Sequence, residues 1–303
     1  MKLFAAIFAL VVCLGPVLFA QQQADPEFDT SVARPAFKKD GPRVMFDEAH
    51  HNFHTSDGRY KPFADLLSND GYRVIRNRQS FSKTTLSSYK ILVIANALGA
   101  EEMDDDGADN SAFTDEEIQA VQDWVKGGGA LLLIADHAPF GGAAAGLAKS
   151  FGVDMSKGYT FDPHNCFEGS PTQLIFSREN KLLANHPIAE GRGEKERLNI
   201  VRSFTGQSLK GPEGSAAILL LSDTAIDRPN FNSQESVSAA GRAQAVALKF
   251  GKGRVLVQGE AAMLSAQVSG ADKRTMGMNV PGNDDRQYVL NVMHWLSGVL
   301  REK

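Results

Sequence analysis

The chain has 303 residues, 43% of them hydrophobic and 22% charged, with a formal net charge of −4. That length can bury a sizeable core, as one large domain or a domain with an insertion. The 32 basic and 36 acidic side chains are scattered, which argues against nucleic acid and against acidic membrane surfaces as partners.

Residues 1–20 read as a signal peptide: Lys2 gives a positive start, and Leu3 to Leu14 form an apolar run too short to span a bilayer. Gly15-Pro16 breaks the run, and cleavage is expected after Ala20, or alternatively after Ala24. Val12 stands before Cys13 where a lipoprotein signal needs a small residue, so ordinary secretion, extracellular or periplasmic, is expected. Cleavage removes Lys2, taking the net charge to −5, and removes Cys13. Cys166 is then the sole cysteine and no intramolecular disulfide can form. No second apolar run is long enough for a membrane span. The pattern does not set an oligomeric state.

Residues 21–40, polar with Pro26 and Pro35, read as a linker, and residues 41–303 as a single α/β domain. Val44 to Asp47 predicts a short buried strand. Ser56-Asp57-Gly58 signals a helix start, with Tyr60, Phe63, Leu66 and Leu67 at helical spacing. Tyr72 to Ile75 and Ile91 to Ala95 are the next strands, the second apolar enough to be covered on both faces. Glu101 to Asn110 reads as a solvated acidic loop. Thr114 and Glu117 form a capping box for a helix that buries Ile118, Val121, Trp124 and Val125. Gly127-Gly128-Gly129 ends it, and Ala130 to Ala135 is another buried strand. A small-residue helix follows from Gly141-Gly142 to Phe151.

Residues 152–215 lose this rhythm and read as an irregular or β-rich excursion. Strand patterns return at Ala217 to Leu221, Ala243 to Phe250 and Arg254 to Gly259. An amphipathic helix closes the domain from about Asp284 to Val299. Strands alternating with helices predict a mainly parallel sheet with helices on both faces.

Three strand ends carry chemistry, and in such sheets ligands bind at the C-terminal ends of the strands. The first delivers Asp47, Glu48, His50, His51 and His54. Imidazoles and carboxylates suit a divalent ion such as zinc, making Asp47, His50 and His54 candidate ligands. The alternatives are a metal-free site with His51 binding ligand, or histidines that bond backbone. The His50-x-x-x-His54 spacing carries no weight in a loop. The second strand end gives Asp136 and His137 before Gly141-Gly142, where glycines admit close backbone approach and a helix start attracts negative charge. The third gives Glu260. Together Asp47, His50, Asp136, His137 and Glu260 form a candidate acid–base set.

Other features are duller. His164-Asn165-Cys166 lacks a strand-to-helix elbow for a nucleophile. Asn185-His186-Pro187-Ile188 reads as a turn, and His294 as a packing residue. Asp284 and Asp285 are candidate helix caps. Arg286 is a candidate anchor for a ligand carboxylate or for the Asp47 loop.

Taken together, the Val44–Asp47 strand with its histidine loop, the Phe113–Asp123 helix running into Trp124-Val125-Lys126-Gly127-Gly128-Gly129-Ala130-Leu131, Asn185-His186-Pro187-Ile188 followed by Gly191, and the closing segment from Arg286 to Leu296 resemble the class I glutamine amidotransferase-like superfamily. Within it they are similar to secreted, ThuA-like members, over most of residues 42–300. The resemblance implies a flavodoxin-like fold. It does not carry over the superfamily's glutamine chemistry, because a Gly-x-Cys-x-Gly elbow is replaced by Ala135-Asp136-His137-Ala138. The expectation is a hydrolase acting on a small polar or carbohydrate-like substrate. The competing expectation is a non-catalytic domain that binds a ligand or protein at the same edge.

Overall fold

A computed structural model describes residues 22–38 and 40–301, so the signal-peptide reading, Cys13 included, lies outside the described residues. Nine strands form the main sheet: β1 (Arg43–Asp47), β2 (Arg73–Asn77), β3 (Ile91–Ala95), β4 (Ala130–Ile134), β5 (Asp154–Met155), β6 (Leu209–Lys210), β7 (Ala216–Leu220), β8 (Ala243–Phe250) and β9 (Gly253–Gln258). Their order is β2-β1-β3-β4-β9-β8-β6-β5, with β7 also paired to β8. β2, β1, β3, β4 and β9 are mutually parallel. Counted in chain order these five run 2-1-3-4-5, the flavodoxin-like arrangement, with its switch point between β1 and β3.

The other strands are antiparallel, so the sheet is mixed. The reversal has a local cause. Phe250 pairs with Gly253 across Gly251-Lys252, and a two-residue loop can only return the chain antiparallel. Gly251 makes the turn with φ of +58°.

Among the described residues six α-helices accompany the sheet: α1 (Lys61–Asn69), α2 (Lys83–Leu86), α3 (Asp115–Lys126), α4 (Phe140–Ser150), α5 (Pro187–Glu190) and α6 (Asp285–Ser297). Strand alternation splits the apolar residues between two cores. Val44, Phe46, Val93, Leu132 and Leu256 meet α1 and α6 on one face. Met45, Leu92, Leu131, Leu133 and Val255 meet α3 and α4 on the other. Helices therefore cover both faces, as the sequence predicts.

Several boundaries move for identifiable reasons. α1 starts at Lys61 rather than near Ser56, because Ser56 donates from its backbone N and Oγ to Glu48 and is held in the loop. The Thr114–Glu117 capping box forms as predicted. Asp284 does not cap α6; its carboxylate accepts from the Asn199 and Ile200 amides. The stretch around 152–215 is β-rich, and its strand Tyr159–Phe161 pairs with Ile226–Arg228 in a small separate sheet.

The expected linker is not free. Gln23–Ala24 pairs with the strand Ala266–Ser269, and Phe28, Val32 and Phe37 pack on the α1/α6 core. Asp70 fixes this strap by accepting from the Ala36 amide at 2.7 Å. Its other oxygen meets His294 Nε2 at 2.7 Å, which makes His294 the packing residue expected.

Candidate functional site

The parallel register brings the strand ends together. Ile134 pairs with Ala95 on one side and Gln258 on the other. Asp136 and Glu260 each stand two residues beyond that rung, on strands about 4.8 Å apart. Asn96 lies between the edges: its amide donates to Ile134, and its Oδ1 accepts from the Asp136 amide at 3.0 Å. It does so with φ of +50°, a left-handed conformation that asparagine tolerates. Asn96 went unnoticed in the sequence, although it follows a buried strand just as Asp47, Asp136 and Glu260 do.

His50 is not a free imidazole. Its Nδ1 sits 3.0 and 2.9 Å from the two Asp47 oxygens, and its Nε2 lies 2.9 Å from Glu117 Oε1. A carboxylate against each ring nitrogen favours the doubly protonated ring. Burial alone would lower its pKa, but the bonds and charges of Asp47 and then Glu117 outweigh burial and raise it. Glu117 also accepts from the Phe81 amide and from Thr114, and Asp47 from Ala49 and Asn52. Burial pushes the Glu117 pKa up, and these bonds, led by that from His50, more than reverse it. The Asp47-His50-Glu117 clamp ties β1, α3 and the Phe81 loop together. The acid–base roles expected of Asp47 and His50 therefore do not fit: both are buried and their bonding groups are occupied.

His54 is buried and stacked on Tyr60 with ring centroids 4.6 Å apart, and its Nδ1 has no partner. Burial, aided by the Arg59 charge, pulls its pKa down to about 3, so the ring is neutral. Asp47, His50 and His54 thus do not converge as ligands. Among the described residues no group of three or more His, Cys, Asp or Glu side chains is arranged to hold a metal ion. His51 is exposed, with φ of +47° and no side-chain bond.

Asp136 and His137 are different, because both are only partly buried. Asp136 Oδ1 accepts from the His137 amide at 2.8 Å, and Oδ2 is uncommitted. His137 Nδ1 lies 2.7 Å from the Ala138 carbonyl, which leaves Nε2 uncommitted. The ring stacks on Tyr159 at 4.4 Å with an interplanar angle of 16°. Tyr159 meets Phe231, which is 50% exposed, and Phe231 meets Phe161. A half-open aromatic surface thus runs outward from His137.

Glu260 lies behind, fully buried, accepting from the Ala262 and Met263 amides at 2.7 and 2.9 Å. Burial, then the Asp136 charge, raises its pKa well above the carboxylate range despite those bonds. Burial and the charges of Glu260 and Asp136 likewise raise that of Tyr60, whose hydroxyl donates to the Ala261 carbonyl.

Gly141 and Gly142 serve packing. A Cβ on Gly141 would come within 2.5 Å of the Gln207 side chain, and one on Gly142 within 2.7 Å of the Asp109 carbonyl. Gln207 is itself buried and bonds the Ala135 and Asp136 carbonyls at 2.9 Å each. Arg286 reaches neither ligand edge nor Asp47 loop; it donates to the Ser31 carbonyl on the strap. Glu117, Gln207, Tyr159 and Phe231 were not foreseen as site residues.

No family model matches this sequence, and no curated protein matches it. Among solved structures, the chain is similar to the mmIFT52 N-terminal domain, at 14% identity and a TM-score of 0.58, over 84% of this chain and 97% of that one. It is also similar to the cytoplasmic protein STM1381 from Salmonella typhimurium LT2, at 14% identity and a TM-score of 0.48, over 87% and 100% of the two chains. A ThuA-like protein from Parabacteroides merdae gives 12% identity and a TM-score of 0.46, over 87% and 93%. At such identity the likeness to the mmIFT52 domain is one of fold alone.

Proposed function

We propose that the C-terminal edge of the sheet binds a small, polyhydroxylated, carbohydrate-like ligand through Asp136, His137 and the aromatic surface beside them. One observation carries this reading. Of the five residues first considered for acid–base work, only Asp136 and His137 are both reachable and partly uncommitted. A carboxylate accepts from hydroxyl groups, and the Tyr159–Phe231 surface offers apolar faces to the C–H side of a sugar ring. Titration of purified protein with a monosaccharide panel, followed by NMR, tests it. Saturable shifts at His137 and Tyr159 are expected, weakened at least about tenfold by Asp136→Asn, the loss of a charge-assisted bond. No saturable shift from any sugar would sink the reading.

Hydrolysis is the second reading, favoured by Asp136 beside the proton-retaining Glu260. There Asp136 would take the proton of an attacking water, and His137, protonated on both nitrogens with Nδ1 donating to Ala138, would give its Nε2 proton to the leaving group. Turnover of glycosides or esters lost in both Asp136→Asn and His137→Ala supports it. Binding without turnover leaves the binding reading alone.

A further inference from the structure

We propose that Arg228 makes this edge select ligands bearing a carboxylate, an inference that rests on the binding reading above. Arg228 closes the strand Ile226–Arg228, opposite Tyr159 in the register that pairs Ile226 with Phe161. Strand alternation splits this pair of strands into two faces. On one face Thr160 donates to Asp227 at 2.6 Å, and Ser208 bonds the other Asp227 oxygen at 2.5 Å. On the opposite face the Arg228 guanidinium lies over the Phe161 ring, 4.6 Å from its centroid. Phe161 touches Phe231, which touches Tyr159, which stacks on His137. The ring contacts that start at His137 therefore end, through the buried Phe161, at a cation.

That cation has no anionic partner. Among the described residues no hydrogen bond or ion pair reaches the Arg228 guanidinium, and its Nε is buried without an acceptor. It lines a cleft of about 720 Å³ together with Lys157, Glu235 and Arg242. Arg242 is committed to Asp154 at 2.9 Å. Glu235 shares the cleft with Arg228, and the two do not pair. A guanidinium fork fits a carboxylate with two parallel bonds, and its placement on Phe161 fixes the plane it presents. Asp136 at the other end repels a ligand carboxylate. An acidic sugar would thus lie along the aromatic surface with hydroxyls toward Asp136 and carboxylate toward Arg228.

The test is a titration with D-glucose, D-glucuronate and glucose 6-phosphate, on the full chain and on two variants. Arg228→Met keeps an unbranched stem over Phe161 and removes the charge; His137→Ala disturbs the other end. Thermal unfolding of each variant establishes that it is folded. Glucuronate is expected to bind about tenfold more tightly than glucose, the size of one charge-assisted contact. Arg228→Met should erase that preference with glucose affinity unchanged, and His137→Ala should weaken both sugars together. Glucose and glucuronate binding equally, or a preference surviving Arg228→Met, would overturn the role of Arg228 and leave the binding reading standing. Preference for the phosphate over glucuronate would overturn carboxylate selection. Absence of binding by all three would overturn both.

Discussion

His50 and Glu117, 67 residues apart in sequence, meet at 2.9 Å and join the loop after β1 to the first turn of α3. Glu117 is thereby a helix cap and a counter-ion at once. Glu117→Ala should cost about 1–3 kcal/mol, because the buried His50 ring keeps Asp47 but its Nε2 loses its acceptor. The pH dependence has two limbs. His50 has a raised pKa, so its contribution is complete below about 6.5 and is lost as pH rises through the raised value. Glu117 has a lowered pKa, so its contribution is present above about 4.5 and is lost as pH falls through the lowered value. The clamp is strongest between those limits. Urea unfolding from pH 3 to 9 checks this, and a Glu117→Gln variant with the same profile as the wild type would refute it.

Asp136 and Glu260 predict a conflict between stability and function. Burial and the Asp136 charge raise the Glu260 pKa, so the folded chain holds that proton longer than the unfolded chain does. Stability linked to Glu260 is therefore complete below its unfolded value and is lost as pH rises toward the raised one. Asp136→Asn removes the repelling charge and keeps the oxygen that accepts from the His137 amide. In the variant the loss of stability with rising pH should level off at a lower pH than in the wild type, because Glu260 gives up its proton earlier, and ligand affinity should fall. Chemical denaturation across a pH series measures where the loss levels off, and an unchanged levelling point would separate the two carboxyls electrostatically.

The alternation of buried strands and amphipathic helices made the parallel half of the sheet and its helix-covered faces legible in the sequence. The strand ends at Asp47, Asp136 and Glu260 were legible for the same reason, since each follows an apolar run. Burial and partnership were not. Whether His50 faces solvent depends on Glu117, and whether Asp136 meets an aromatic surface depends on Tyr159 and Phe231, all distant in sequence. In the antiparallel half the Ala217 to Leu221 and Ala243 to Phe250 strands were legible, whereas Asp154–Met155 and Leu209–Lys210 are too brief to show a period. The strap escaped because Phe28, Val32 and Phe37 dock one at a time, without periodic spacing.

Gly141 distinguishes packing from ligand contact. An added methyl group would push on Gln207, whose amide holds the Ala135 and Asp136 carbonyls. Gly141→Ala should cost about 1–3 kcal/mol, as overpacking of a filled interior does. A compensating Gln207→Ser should recover part of that loss by opening space. If instead Gly141→Ala leaves the unfolding midpoint unchanged and only weakens sugar binding, the glycine faces ligand and the packing assignment fails.

Phe231 supplies the opposite case, a side chain whose loss should matter to binding and not to folding. It is 50% exposed, and its ring contacts are with Tyr159 and the buried Phe161. Phe231→Ala should therefore change stability by no more than about 0.5 kcal/mol, as exposed substitutions usually do. The same change removes the outer part of the surface between His137 and Arg228. Sugar affinity should fall about three- to tenfold, the scale of an aromatic contact worth roughly 0.5–1.5 kcal/mol. Parallel unfolding and titration curves check both halves. Undiminished affinity in a stable Phe231→Ala variant would move the ligand off this surface and confine it to the Asp136-His137 end.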